Sequence, residues 1–88
     1  MNTTAEAIRT LESAQLQATT AAEMIENLIA AHDYQDVALL VAQAATRLLE
    51  ATTLLMKSDD MGALATLESA DDLLDAVYDI IESDLEEE

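Results

Sequence analysis

Residues 34–56 read YQDVALLVAQAATRLLEATTLLM, and this stretch decides the fold. Tyr34, Val37, Val41, Ala44, Leu48, Ala51 and Leu55 recur at alternating three- and four-residue spacing, the period that lines side chains along one side of an α-helix. Ala38, Ala42, Ala45, Leu49 and Met56 form a second seam beside the first, and Leu39, Leu40 and Leu54 are apolar as well. What remains polar is a narrow strip of Asp36, Gln43, Arg47, Glu50 and Lys57. A helix apolar over so much of its circumference is predicted to be central, with neighbours on more than one side.

On the N-terminal side, residues 4–31 read as a first helix. Thr3 and Glu6 have the spacing of a capping box, in which a hydroxyl and a carboxylate satisfy orphan backbone N–H groups. Ala7, Leu11, Ala14, Ala18, Ala21, Ile25 and Leu28 then repeat at helical spacing, widened by Ile8, Ala22 and Ile29. Alanine dominates this seam, so a neighbouring helix is predicted to approach closely. Asp33 is the expected N-cap of the central helix, which should span residues 34–57. Beyond it, Ser58, Asp59 and Asp60 offer three N-caps for a third helix over residues 60–85, with an acidic tail at 86–88 expected to fray. Gly62 in its first turn lowers helix propensity by about 1 kcal/mol. Ala63, Leu67, Ala70, Leu74, Val77 and Ile81 carry its seam. Both connections are short, which predicts an all-α, elongated, antiparallel three-helix bundle running up-down-up in one domain, 1–88. The apolar excess on helix two makes a homodimer through that helix, a larger helical bundle, the alternative to three helices standing alone.

Composition removes several classes of function. The chain has 88 residues with one glycine, no proline and no cysteine, so neither a disulfide framework nor a thiolate zinc site exists. Its start lacks the basic and apolar segments of a signal peptide, and its longest apolar run, residues 37–42, is far short of the roughly 20 residues of a membrane span. A cytoplasmic protein is the expectation. Nineteen acids face three bases, giving a net charge of −16, which disfavours direct contact with nucleic acid or an anionic membrane and favours a basic protein partner.

The acids are unevenly placed. Residues 1–57 hold seven acids and all three bases, Arg9, Arg47 and Lys57, whereas residues 58–88 hold twelve acids and no base. Within helix three, Glu68, Asp72, Asp75, Asp79, Glu82 and Glu86 follow four-three spacing and form one line, with Asp71 beside it. Like charges at these spacings each destabilise a helix by about 0.2–0.5 kcal/mol, so the five consecutive pairs cost about 1–2.5 kcal/mol at low salt. Three readings compete. One is generic surface acidity of a halophilic source, although helix one has a neutral face of Thr10, Gln15, Gln17, Thr19 and Thr20. Another is an adaptor or structural helical protein with an acidic docking face. The lead reading is nucleic-acid mimicry, with Glu68, Asp71, Asp72, Asp75, Asp79, Glu82 and Glu86 as the partner-binding residues that block a basic nucleic-acid-binding surface. Small, acidic, cysteine-free chains of this style are similar in kind to phage-encoded inhibitors of bacterial defence, including anti-CRISPR proteins. That likeness rests on no motif and assigns no residue.

Catalytic and metal chemistry find no support in the pattern. His32 with Asp33 and Asp36 is the one place where metal ligation arises, but a histidine expected at a helix C-terminus more simply complements the helix dipole. No Glu-x-x-His pair exists for a di-iron site, and residues 58–62 lack the alternating oxygen ligands of a calcium loop. No serine or cysteine nucleophile stands beside a histidine. Asp71 adjoins the apolar positions Leu67, Leu74 and Tyr78, where an outward-pointing boundary residue is the simpler reading, and Met24, Met56 and Met61 read as core filler. The expectation is therefore a non-enzymatic binding protein without cofactor or metal.

Overall fold

A computed structural model describes residues 1–87, and of Glu87 the backbone alone. Among the described residues the chain forms three helices and no strand: α1 (Thr4–Glu26), α2 (Gln35–Met56) and α3 (Asp60–Glu87). The expected fray of the tail falls only partly within view, since Glu86 lies inside α3 and Glu88 lies outside the described residues.

Local chemistry sets most helix ends. The Glu6 N–H donates to Thr3 Oγ1 at 3.1 Å, which is the hydroxyl half of the expected capping box. Asp59 starts α3: its Oδ1 accepts the Gly62 N–H at 2.9 Å. A Cβ at position 62 would collide with that same carboxylate, so Gly62 makes room for the cap rather than merely weakening the helix. Ser58, at φ 64°, turns the chain between α2 and α3 in the left-handed region.

Two expectations at the first connection are corrected. α1 ends at Glu26, not near residue 31, although Leu28 and Ile29 continue its apolar period. Asn27 stops it, donating its backbone N–H (3.1 Å) and its side-chain Nδ2 (2.8 Å) to the Glu23 carbonyl. Gln35 then reaches back, and its Nε2 donates to the carbonyls of Ile25 (2.8 Å) and Glu26 (3.4 Å), which the terminated helix leaves free. The N-cap position of α2 falls to Tyr34 with no side-chain cap, not to Asp33. His32 therefore belongs to a turn rather than a helix end; its Nδ1 accepts the Tyr34 N–H at 3.1 Å, and its own N–H donates to Gln35 Oε1 at 3.2 Å.

α2 contacts both other helices, and among the described residues α1 and α3 do not contact each other. The reason lies in where the packed positions fall on α2. Val37, Leu40, Ala44 and Ala51 form one buried or half-buried stripe, and Leu39, Ala42, Thr46, Leu49 and Thr53 form another about half a turn away. Gln35 shares the second stripe, and Lys57 Nζ lies 3.8 Å from Glu12 of α1, so α1 occupies that side and α3 the other. The helices lie in a row with α2 in the middle. The molecule measures 49 × 28 × 20 Å, and its radius of gyration of 15.3 Å exceeds the roughly 12 Å of a compact chain of this length.

The interior is built from small side chains. Its fully buried apolar residues are Ala22, Ala44, Ala51, Ala63, Ala70 and Val77, with Thr53 beside them. Positions 44 and 51 of α2 and 63, 70 and 77 of α3 keep seven-residue spacing, which lays small side chains along one narrow seam. No large side chain is fully buried. Met24, Met56 and Met61 are exposed, against their expected place in the core, because a single row of helices has only two seams to fill and alanine fills one of them.

Candidate protein-binding site

The side of α3 that turns away from α2 is carboxylate throughout. Ala63, Ala70 and Val77 define the packed side, and Glu68, Asp72, Asp75, Asp79, Glu82 and Glu86 lie opposite it. All six are exposed, as is Asp71, which flanks the line. At 1.5 Å of rise per residue the line runs for about 27 Å, one charge per roughly 5 Å. Six of the seven residues of the expected binding set thus share one outer edge of the molecule, and Asp71 stands between that edge and Leu67, Leu74 and Tyr78.

Nothing neutralises that edge locally. Among the described residues the ion pairs are Arg47 Nη1 to Glu50 Oε2 at 3.0 Å, within α2, and Lys57 to Glu12, between α2 and α1. α3 itself carries no base, and its last turn lacks the cations that would complement the helix dipole. The acids remain solvated and side by side, an arrangement suited to guanidinium and ammonium groups spaced along a rod. It does not suit acid–base catalysis, which needs two carboxylates in unlike environments. Among the described residues no group of three His, Asp or Glu side chains converges to hold a metal ion.

The two broad sides of the helix row differ sharply. One bears a cleft of about 450 Å³, with Gln43, Thr46 and Arg47 of α2 as its floor and Glu23 and Glu26 of α1 on one wall. This is the narrow polar strip of the central helix. The opposite side of α2 carries Ala38, Val41, Ala45, Leu48, Thr52 and Leu55, all exposed. On α3 the positions turned the same way are Leu64, Leu67, Tyr78, Ile81 and Leu85, also exposed, with half-buried Leu74. Sequence periodicity assigned several of these to packed seams. α2 is also, by length and composition, long and apolar enough to cross a membrane. The apolar excess expected on helix two lies on this side, since two neighbours cover only two of its stripes.

No protein-family model matches the chain, and no curated protein or solved structure is detectably similar to it.

Proposed function

We propose that this protein is a small acidic binding module whose α3 edge occupies a basic, nucleic-acid-binding surface of another protein and so inhibits it. The observation that carries the reading is the unneutralised line of six exposed carboxylates on the free side of α3. Its spacing of roughly 5 Å approaches the one charge per about 3.4 Å along each strand of duplex DNA. A groove lined with Arg and Lys for phosphates can accept it. Generic acidity would spread over every helix, yet the exposed side of α1 includes Thr10, Gln17, Thr19 and Thr20, so the concentration on one edge favours a docking role over halophilic adaptation.

The same reading takes the helices as antiparallel neighbours, up-down-up. Gln35 at the start of α2 bonds Ile25 at the end of α1, Lys57 beyond the end of α2 approaches Glu12 early in α1, and three residues link α2 to α3. An elongated edge of solvated carboxylates suits binding to a basic surface.

The test is capture of basic proteins from a cell lysate by the wild-type chain and by the triple variant Asp72→Lys, Asp75→Lys, Asp79→Lys. A captured protein should be lost with the triple variant, weaken steeply with salt, and be displaced by duplex DNA. Capture that survives charge reversal, or that ignores salt, discards the reading.

A further inference from the structure

We infer that the apolar side of α2 and α3 is the interface for a second copy of this chain, making the protein a symmetric dimer. The side spans both helices, with Val41, Leu48 and Leu55 on α2 and Leu67, Tyr78 and Ile81 on α3 at its centre, and Asp71 is the one acid set among the α3 positions. Leu48 is 43% exposed and Tyr78 57%, well above what large apolar side chains show in a finished core. On α2 this side has no charged residue from Ala38 to Met56.

Area argues for a partner of this size. The chain exposes 6387 Å², whereas a compact monomer of its 9.5 kDa exposes about 5,050 Å². The excess, about 1,300 Å², belongs to the whole elongated molecule, and the roughly 800 Å² that each partner buries in a standard stable interface fits within it. The interior argues that the cover is permanent. No large side chain is fully buried and the packed leucines and isoleucines are half-buried, so a second copy adds burial that a domain of this length needs. Pairing the same surface around a twofold axis closes the assembly. Charge is the opposing term, since each copy carries −16. The six-residue carboxylate line lies on the outer edge of α3, about a quarter turn from this surface, whereas Asp71 stands among Leu67, Leu74 and Tyr78, so its carboxylate must reach the rim of the contact, and salt should strengthen the pair.

Sedimentation and light scattering of the wild-type chain test the inference directly. A mass twice 9.5 kDa is expected at micromolar concentrations, with a dissociation constant that falls at least tenfold between about 50 mM and about 1 M salt. Leu48→Asp should raise that constant at least tenfold, while Gln43→Glu on the polar side should leave it within about twofold. If Leu48→Asp fails to fold, a wild-type melting temperature that rises with protein concentration carries the same conclusion. A wild-type chain that melts cooperatively as a 9.5 kDa monomer overturns the inference. So does a Leu48→Asp chain that pairs as tightly as wild type, or a monomer that instead partitions onto neutral phosphatidylcholine vesicles. The inference stands apart from the role of the acidic edge: the triple lysine variant should still pair, so loss of partner capture and loss of pairing are read separately.

Discussion

Replacing Asp75 by lysine should stabilise this protein, which is the reverse of what most substitutions do. Asp75 is exposed on the outer edge of α3 and has three acidic neighbours at helical contact distance: Asp71 four residues before it, Asp72 three before and Asp79 four after. Each like-charge pair costs about 0.2–0.5 kcal/mol, so removing three relieves about 0.6–1.5 kcal/mol, and turning them into attractive pairs adds a similar amount. Asp75→Lys is expected to gain about 1–3 kcal/mol at low salt and Asp75→Asn about half of that. Urea unfolding followed by circular dichroism, at one fixed protein concentration because association shifts apparent stability, measures the difference. At about 1 M salt, where the screening length shrinks to roughly 3 Å, the lysine advantage should fall to the few tenths of a kcal/mol due to helix propensity. An unchanged or lower stability, or a gain of the same size at both salts, refutes the claim that the carboxylate line is an electrostatic burden on its own helix.

Three further substitutions examine the packing and the caps. Gly62→Ala should be within about 0.5 kcal/mol of neutral, because the helix propensity gained offsets the Asp59 cap displaced by the new methyl; in an Asp59→Ala background it should stabilise by about 1 kcal/mol, and equal effects in both backgrounds would contradict the cap geometry. Gln35→Ala removes the bonds to the Ile25 carbonyl and the His32 N–H, so it should cost about 1 kcal/mol and speed hydrogen exchange at His32. Ala70→Leu, at a position that is 0% exposed, should cost about 1–3 kcal/mol through overpacking, while Ala65→Leu on the exposed side of the same helix should change thermal stability by less than about 0.5 kcal/mol.

The parts of the fold visible in the sequence are those governed by neighbours a few residues apart. Thr3 with Glu6, Asp59 as a cap and the seven-residue alternation of Ala63, Ala70 and Val77 are local patterns, and each has its structural counterpart. The end of α1 was hidden because Leu28 and Ile29 keep the apolar period, while the side chain that holds the shorter end, Gln35, lies ten residues from the carbonyl it caps. Tyr34 displaced Asp33 for a related reason: His32 and Gln35 bond each other across the turn and fix where α2 begins. Exposure of the carboxylate line was legible, since a four-three row of acids has nowhere else to go. An apolar excess on α2 was legible too, but which leucines stay uncovered was not, because periodicity tells which side of a helix is apolar and says nothing of how many helices arrive to cover it.

That distinction explains why one chain carries two separable surfaces. α2 meets α1 and α3 along stripes on opposite sides, whereas a closed three-helix bundle would bring those stripes to within about a sixth of a turn of each other. A row leaves both broad sides of α2 open. Closing α1 and α3 over the polar side would strip water from Gln43 and from the Arg47–Glu50 pair, a desolvation that surface ion pairs do not recover. The apolar side has no such penalty, so it is the side that the proposed pairing would remove from water. On α3 the leucine positions sit about a quarter turn from the six-residue carboxylate line, so covering them leaves that line in solvent and takes in Asp71 alone among the seven acids. A pair of chains formed in this way presents two acidic edges, each still free for a basic surface, so partner binding should strengthen when a bivalent basic target is offered and revert to single-edge affinity when Leu48→Asp separates the copies.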